Sequence, residues 1–144
     1  RMIAAGEDRL YVARRLVRFA SEDVGMADPT ALHLAVAAFN AYHQLGSPEG
    51  ELALAQVVVH LALAPKSNEV YAAYGAVMAE IESRGSLPTP KVILNAPTGL
   101  MKDLGYGAGY AYAPNDPEGA KSQQHLPDEL VGKKWWRGVG RGES

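Results

Sequence analysis

The chain has 144 residues, 47% of them hydrophobic and 21% charged, with a formal charge of −2. That is the size of one ordinary domain, able to bury about 68 to 70% of the surface its unfolded form exposes, and too nearly neutral to select a partner by net charge. Cysteine is absent, which excludes disulfides, thiolate metal sites and a cysteine nucleophile, and fits a reducing, cytosolic compartment.

The charge is unevenly spread. Residues 1–20 carry five Arg against two acids, residues 22–82 carry eight acids against Lys66 alone, and residues 121–144 carry five basic residues against three acids. The opening Arg1, with no charged-then-apolar leader after it, points to a piece of a longer protein without a targeting segment.

The spacing predicts a first helix from about Arg9 to Val24, with Asp8 as N-cap and Gly25 just past its end. Leu10, Ala13, Val17, Ala20 and Val24 recur at threes and fours to make its buried side. Arg14, Arg15 and Arg18 occupy other sides, either as a solvated face or as a stripe for phosphate or another subunit. Asp28-Pro29 then opens a second helix to about Leu45, since proline at the first helical position forfeits no hydrogen bond. Leu32, Ala35, Val36, Phe39 and Tyr42 or His43 are its expected buried side, and Gly46 ends it.

Ser47-Pro48 repeats the device, with Glu49 and Glu51 placed to complement the positive end of a helix dipole. From Leu52 to Ala64 only Gln56 and His60 are polar, so this third helix is expected to be covered on all sides. The run is too short to cross a bilayer, which needs about 18 to 20 residues, so the cover must be protein. Burial of Leu52, Leu54, Val57, Val58, Val59, Leu61 and Leu63, at roughly 1.5 to 3 kcal/mol each, is the expected main source of stability before conformational entropy is subtracted. A charge at Val58 or Leu61 should then cost assembly, folding or both. Gln56 and His60, four apart, share a stripe suited to a partner surface or a buried hydrogen bond.

Pro65 stops that helix, and Ser67 caps a fourth from about Asn68 to Arg84, with Val70, Tyr71, Tyr74, Val77, Met78 and Ile81 on its apolar side. Beyond Gly85 the text turns rich in proline. Val92-Ile93-Leu94 reads as a short extended strip, and Thr98 to about Leu104 as a short fifth helix. From residue 105 the chain is rich in Gly, Pro and aromatics without a helical period, and its tyrosines and tryptophans argue for packing on the bundle or on a partner. The final RGVGRGES is expected to fray. The fold class is therefore all-α: a compact bundle of four main helices plus a short fifth over residues 1–104, with an irregular aromatic tail, 105–144, on the same domain.

Motifs for catalysis do not assemble. The one Gly-Lys pair, Gly132-Lys133, has Pro127 and Lys134 where a phosphate loop needs glycine and a hydroxyl, and the glycines 105, 107 and 109 have no preceding strand and serve as turns between tyrosines. His33, His43, His60 and His125 show no metal-ligand spacing. Trp135 and Trp136 beside Lys133, Lys134 and Arg137 could stack bases next to phosphate-binding charge, or anchor the tail.

Three long blocks carry more than spacing does: GEDRLYVARRLVRFASEDVGMADPTAL, GSPEGELALAQVVVHLALAPKSNEVYAAY, and NAPTGLMKDLGYGAGYAYAPND with HLPDEL. Together they resemble the C-terminal region of the RarA/MgsA family of AAA+ ATPases, which in eukaryotes includes the Werner-helicase-interacting ATPase. The match departs at Trp135-Trp136, where tyrosines are usual, and in GVGRGES, which lacks a following proline. The resemblance implies a collar like that of clamp-loader subunits, assembling a homotetramer of a protein that works with replication and repair proteins and DNA at stalled forks. It implies a cytoplasmic, nucleoid-associated protein with no membrane contact. ATP and magnesium would belong to the parent's AAA+ module, leaving this stretch without a cofactor, a metal or catalysis. On this reading the subunit contacts fall to Gln56, His60, Leu63, Tyr71 and Tyr74. The alternative is a DNA-binding module using Arg14, Arg15, Arg18, Lys133, Lys134 and Trp135.

Overall fold

The computed structural model describes residues 1–138. The end of RGVGRGES, on which the expected fraying and the missing proline fall, lies outside the described residues. All regular structure among the described residues is helical: α1 (Arg9–Phe19), α2 (Thr30–Leu45), α3 (Glu49–Leu63), α4 (Glu69–Arg84), α5 (Gly99–Asp103) and α6 (Pro117–Ser122). The described residues form two compact units, one of Arg1–Met78 with residues 135–138, the other of Ala79–Lys134.

In the first unit the helix ends follow from local chemistry. The Asp8 carboxylate accepts from Leu10 N at 3.0 Å to start α1, and after Phe19 the helix widens into a π-helical turn, Ala20–Val24. Gly25 closes it at φ +51°, a conformation only glycine adopts cheaply. A side chain there would also meet the Ser67 carbonyl oxygen at 2.7 Å, because Ser67 N donates to Asp23 O across the same gap. Before α2, Asp28 Oδ1 accepts from both Thr30 N and Thr30 Oγ. At the start of α3, Ser47 Oγ donates to Glu51, which also accepts from Arg9 Nε of α1 at 3.1 Å. These two donors, Ser47 first, hold the Glu51 carboxyl below its ordinary range.

The core is Ala13, Ala20, Val24, Ala31, Ala35, Ala38, Leu54, Val57 and Leu61, with Leu16, Val17, Phe39 and Tyr42 packed around it. Two expectations are corrected here. On α2 the buried stripe is Ala31, Ala35 and Ala38, whereas Leu32 and Val36 are exposed. The helices approach closely at one end, where a Cβ on buried Gly50 of α3 would sit 2.8 Å from Tyr42 Cα, and a small-residue stripe on α2 lets the backbones come together while α3 supplies the large core side chains Leu54, Val57 and Leu61. On α3 the expected cover on all sides is not found, since Leu54, Val57 and Leu61 are buried while Leu52, Val58, Val59 and Leu63 are exposed. Two neighbouring helices can cover only one side of a third.

Helix α4 starts where Ser67 Oγ accepts from Glu69 N and ends at Gly85, φ +70°, but none of its residues is buried, including the expected Val70, Tyr71, Tyr74, Val77, Met78 and Ile81. In the second unit, Lys91–Ile93 forms a 3-10 turn rather than an extended strip. Thr98 caps α5 through Met101 N, and Gly107 N donates to Lys91 O at 2.8 Å. Glycines 105, 107 and 109 all have positive φ and serve as turns among the tyrosines, as expected. The sequence reading missed α6, which begins with the same Asp-Pro device as α2: the Asp116 carboxylate accepts from Gly119 N at 2.9 Å.

Candidate subunit interface

Helix α3 has two apolar faces on opposite sides. Leu54, Val57 and Leu61 point into the unit, at 2%, 4% and 3% exposure. Leu52, Gln56, Val59 and Leu63 recur at steps of four, three and four, and at about 100° per residue they fall opposite the buried stripe. The three apolar members are 76%, 58% and 81% exposed. Steps of that kind make a coiled-coil seam. Ala55 and Ala62 flank it, exposed, small and uncharged. Of the residues assigned to subunit contact from the sequence, Gln56 and Leu63 lie on this seam, and Tyr71 and Tyr74 of α4 are 61% and 66% exposed. Leu52 and Val59, expected in the core, share this exposed face instead. Their heptad spacing with Gln56 was the available signal.

His60 stands apart from the seam. Half-buried, it places Nε2 2.7 Å from Asp28 Oδ2 and so ties α3 to the start of α2. The Asp28 carboxyl is held below its ordinary range, first by the Thr30 hydroxyl and then by His60, against partial desolvation that acts the other way. A carboxylate depressed in the folded state stabilises the fold at pH above its unfolded pKa of about 4, and that contribution is lost as pH falls through the lower folded value. Melting temperatures followed from pH 7 to pH 2 are therefore expected to fall less steeply on the acid side in Asp28→Asn than in the parent. Identical slopes would remove Asp28 from the acid response.

The basic residues considered for nucleic acid are mostly paired. Arg14 lies 3.6 Å from Asp8, Arg18 Nε is 2.8 Å from Glu22, and Lys133 Nζ donates to Glu80. The Glu22 contact raises the Arg18 pKa, and Lys133, followed by Arg84, lowers that of Glu80. Arg15 and Lys134 are exposed and have no carboxylate partner among the described residues, and Trp135 is half-buried. Arg14, Arg15, Arg18 and Trp135 belong to the first unit, Lys133 and Lys134 to the second. No group of three His, Asp or Glu side chains among the described residues could hold a metal ion, and none of the described helices is long and apolar enough to cross a membrane.

The chain is 50% identical over 143 residues to the replication-associated recombination protein A of Coxiella burnetii, covering 99% of this chain and 32% of that protein. It is 45% identical over 143 residues to the Escherichia coli K12 protein of the same name, with the same coverage. With the ATPase WRNIP1 of Dictyostelium discoideum it shares 42% identity over 137 residues, 94% of this chain and 16% of that protein. The chain thus spans about a third of the length of its bacterial relatives. A family model described as the C terminal of the MgsA AAA+ ATPase matches residues 1–144, and the chain belongs to that family.

Proposed function

We propose that this chain is the homo-oligomerisation domain of a clamp-loader-like AAA+ ATPase that acts in replication-fork maintenance and recombination. The observation that carries the reading is the seam on α3: Leu52, Val59 and Leu63 stand in water opposite a fully buried stripe of the same helix. Exposed apolar side chains gathered on one face mark an association surface more often than scattered ones do. The relatives' names supply the setting, replication-associated recombination and ATP hydrolysis. In this reading ATP and magnesium bind the module that the longer relatives carry outside this stretch. Gly132-Lys133 does not fit a phosphate, because Lys133 Nζ is already directed at Glu80.

The domain's contribution is mechanical. It holds ATPase modules together so that each can supply a charged group to its neighbour's nucleotide, and it does no chemistry itself. Nucleic-acid binding through Arg14, Arg15 and Arg18 is less well supported, since two of the three already face carboxylates. Light scattering on the purified chain at tens of micromolar is expected to give a multiple of the 15.4 kDa protomer, a tetramer on the family pattern. A clean monomer overturns the reading.

A further inference from the structure

We propose that the partner on the α3 seam is the α3 helix of a second copy, packed antiparallel about a two-fold axis between Gln56 and Val59. This rests on the reading of the chain as an oligomerisation domain and goes further by assigning the surface, the orientation and the register.

The argument begins with the order of residues along the seam. Continued by one step at the start, the heptad positions read Glu49, Leu52, Gln56, Val59 and Leu63, the last residue of the helix. Reversed against itself, this series sets Leu52 opposite Leu63 and Gln56 opposite Val59, and carries Glu49 to the end of the partner's last turn. Every leucine then meets a leucine.

A parallel pair would instead set Glu49 against Glu49. The structure strengthens that contrast at the helix ends. Glu49 and Glu51 lie in the first turn of α3, at the positive end of its dipole. At the other end Lys66 folds back so that Nζ donates to the carbonyls of Leu61, at 2.9 Å, and Ala64, which puts a positive charge on the last turn. Antiparallel helices bring each acidic end beside a lysine-capped end, and the two dipoles also oppose favourably.

Between these ends the seam and its flanking alanines hold no charge, and Ala55 and Ala62 leave room for close approach. Gln56 supplies the register. In the antiparallel pair the two Gln56 lie only about 4.5 Å apart along the axis, on either side of the two-fold, where their amides can bond to each other. A shift by one heptad sets each opposite Leu52 in one direction and carries it past the end of the partner helix in the other, and neither gives the amide a partner. The seam from Leu52 to Leu63 is about 16 Å long, short of the roughly 800 Å² per partner of a standard interface. It is therefore one part of a larger contact, for which exposed Tyr71 and Tyr74 in the same unit offer aromatic area.

The absence of cysteine makes the test clean. Leu52→Cys and Leu63→Cys forms of the chain, carrying tags of different size, are co-expressed, purified together and oxidised. The expected product is a disulfide between the two different variants and none between two copies of Leu52→Cys, which the antiparallel register holds about 16 Å apart along the axis. A bridge between two copies of Leu52→Cys overturns the antiparallel assignment. An oligomer by light scattering in which neither bridge forms overturns the seam while leaving the oligomerisation reading intact. A monomer in the same measurement overturns both. Each substituted residue is exposed, and thermal melts of the two variants matching the parent confirm that the fold is not in question.

Discussion

Leu61→Asp is expected to leave no cooperatively folded chain. Leu61 is buried on the inner stripe of α3 with Leu54 and Val57, among the alanines of α1 and α2. Truncating such a leucine alone costs about 2 to 5 kcal/mol. The carboxyl must in addition either sit charged in an apolar site or take up a proton. Taking up that proton at pH 7 from a free pKa near 4, at 1.36 kcal/mol per unit, costs about 4 kcal/mol. The combined loss of roughly 6 to 9 kcal/mol is comparable with the total stability of about 5 to 15 kcal/mol that a domain typically has. The helical signal by circular dichroism should lose its sigmoidal melt. A transition within a few degrees of the parent's would show that α3 does not pack as described.

Two residues away the outcome should be the opposite. Val59→Glu combined with Leu63→Glu is expected to leave the protomer folded with a cooperative melt and to dissolve the assembly. Both side chains are exposed in the protomer and glutamate is a good helix former, so folding loses only the roughly 1 kcal/mol that two carboxylates four apart cost near the negative end of a helix dipole. In an assembled seam each would bring an unpaired carboxylate into an apolar contact, at a cost of several kcal/mol. At 1.4 kcal/mol per factor of ten, the dissociation constant should rise by on the order of 10² to 10³ or more. Light scattering at a concentration where the parent is assembled should report the protomer mass. An unchanged mass would locate the subunit contacts elsewhere on the molecule. Sequence alone could not separate these two outcomes on α3, and burial separates them.

What could be foreseen was mostly local. Asp8, Asp28, Gly25, Gly46, Ser67 and Gly85 act on backbone groups within a few residues, so caps and stops were legible in the text. The Asp116-Pro117 signal was equally local and was passed over, because a six-residue helix shows no period. Which face of a helix is buried is another matter when the helix is apolar all round. On α2 and α3 periodicity had little to discriminate, and the larger residues were favoured. The protein instead buries Ala31, Ala35 and Ala38, on the same side as Tyr42, whose backbone a Cβ on Gly50 of α3 would meet. The partnership of His60 with Asp28 joins residues 32 apart in the sequence and had no local signature. Of the residues expected at a subunit contact, Gln56 and Leu63 lie on the exposed face of α3, Tyr71 and Tyr74 are exposed on α4, and His60 is turned to Asp28. Leu52 and Val59 share the heptad spacing of Gln56 and Leu63, and their exposure puts them on the same face.

The passage from α3 to α4 is held by main-chain atoms: Ser67 N on Asp23 O, with Gly25 bare beneath the Ser67 carbonyl. An amide and a carbonyl are present at nearly every position of any chain, so this anchor places few demands on side-chain identity. Its demand is on spacing. The linker between α3 and α4 should accept many substitutions yet refuse insertions and deletions, because one residue more or less would take the amide off its acceptor. Relatives of this chain are accordingly free to diverge in the composition of the linker while keeping its length, and so the direction in which α4 sets out.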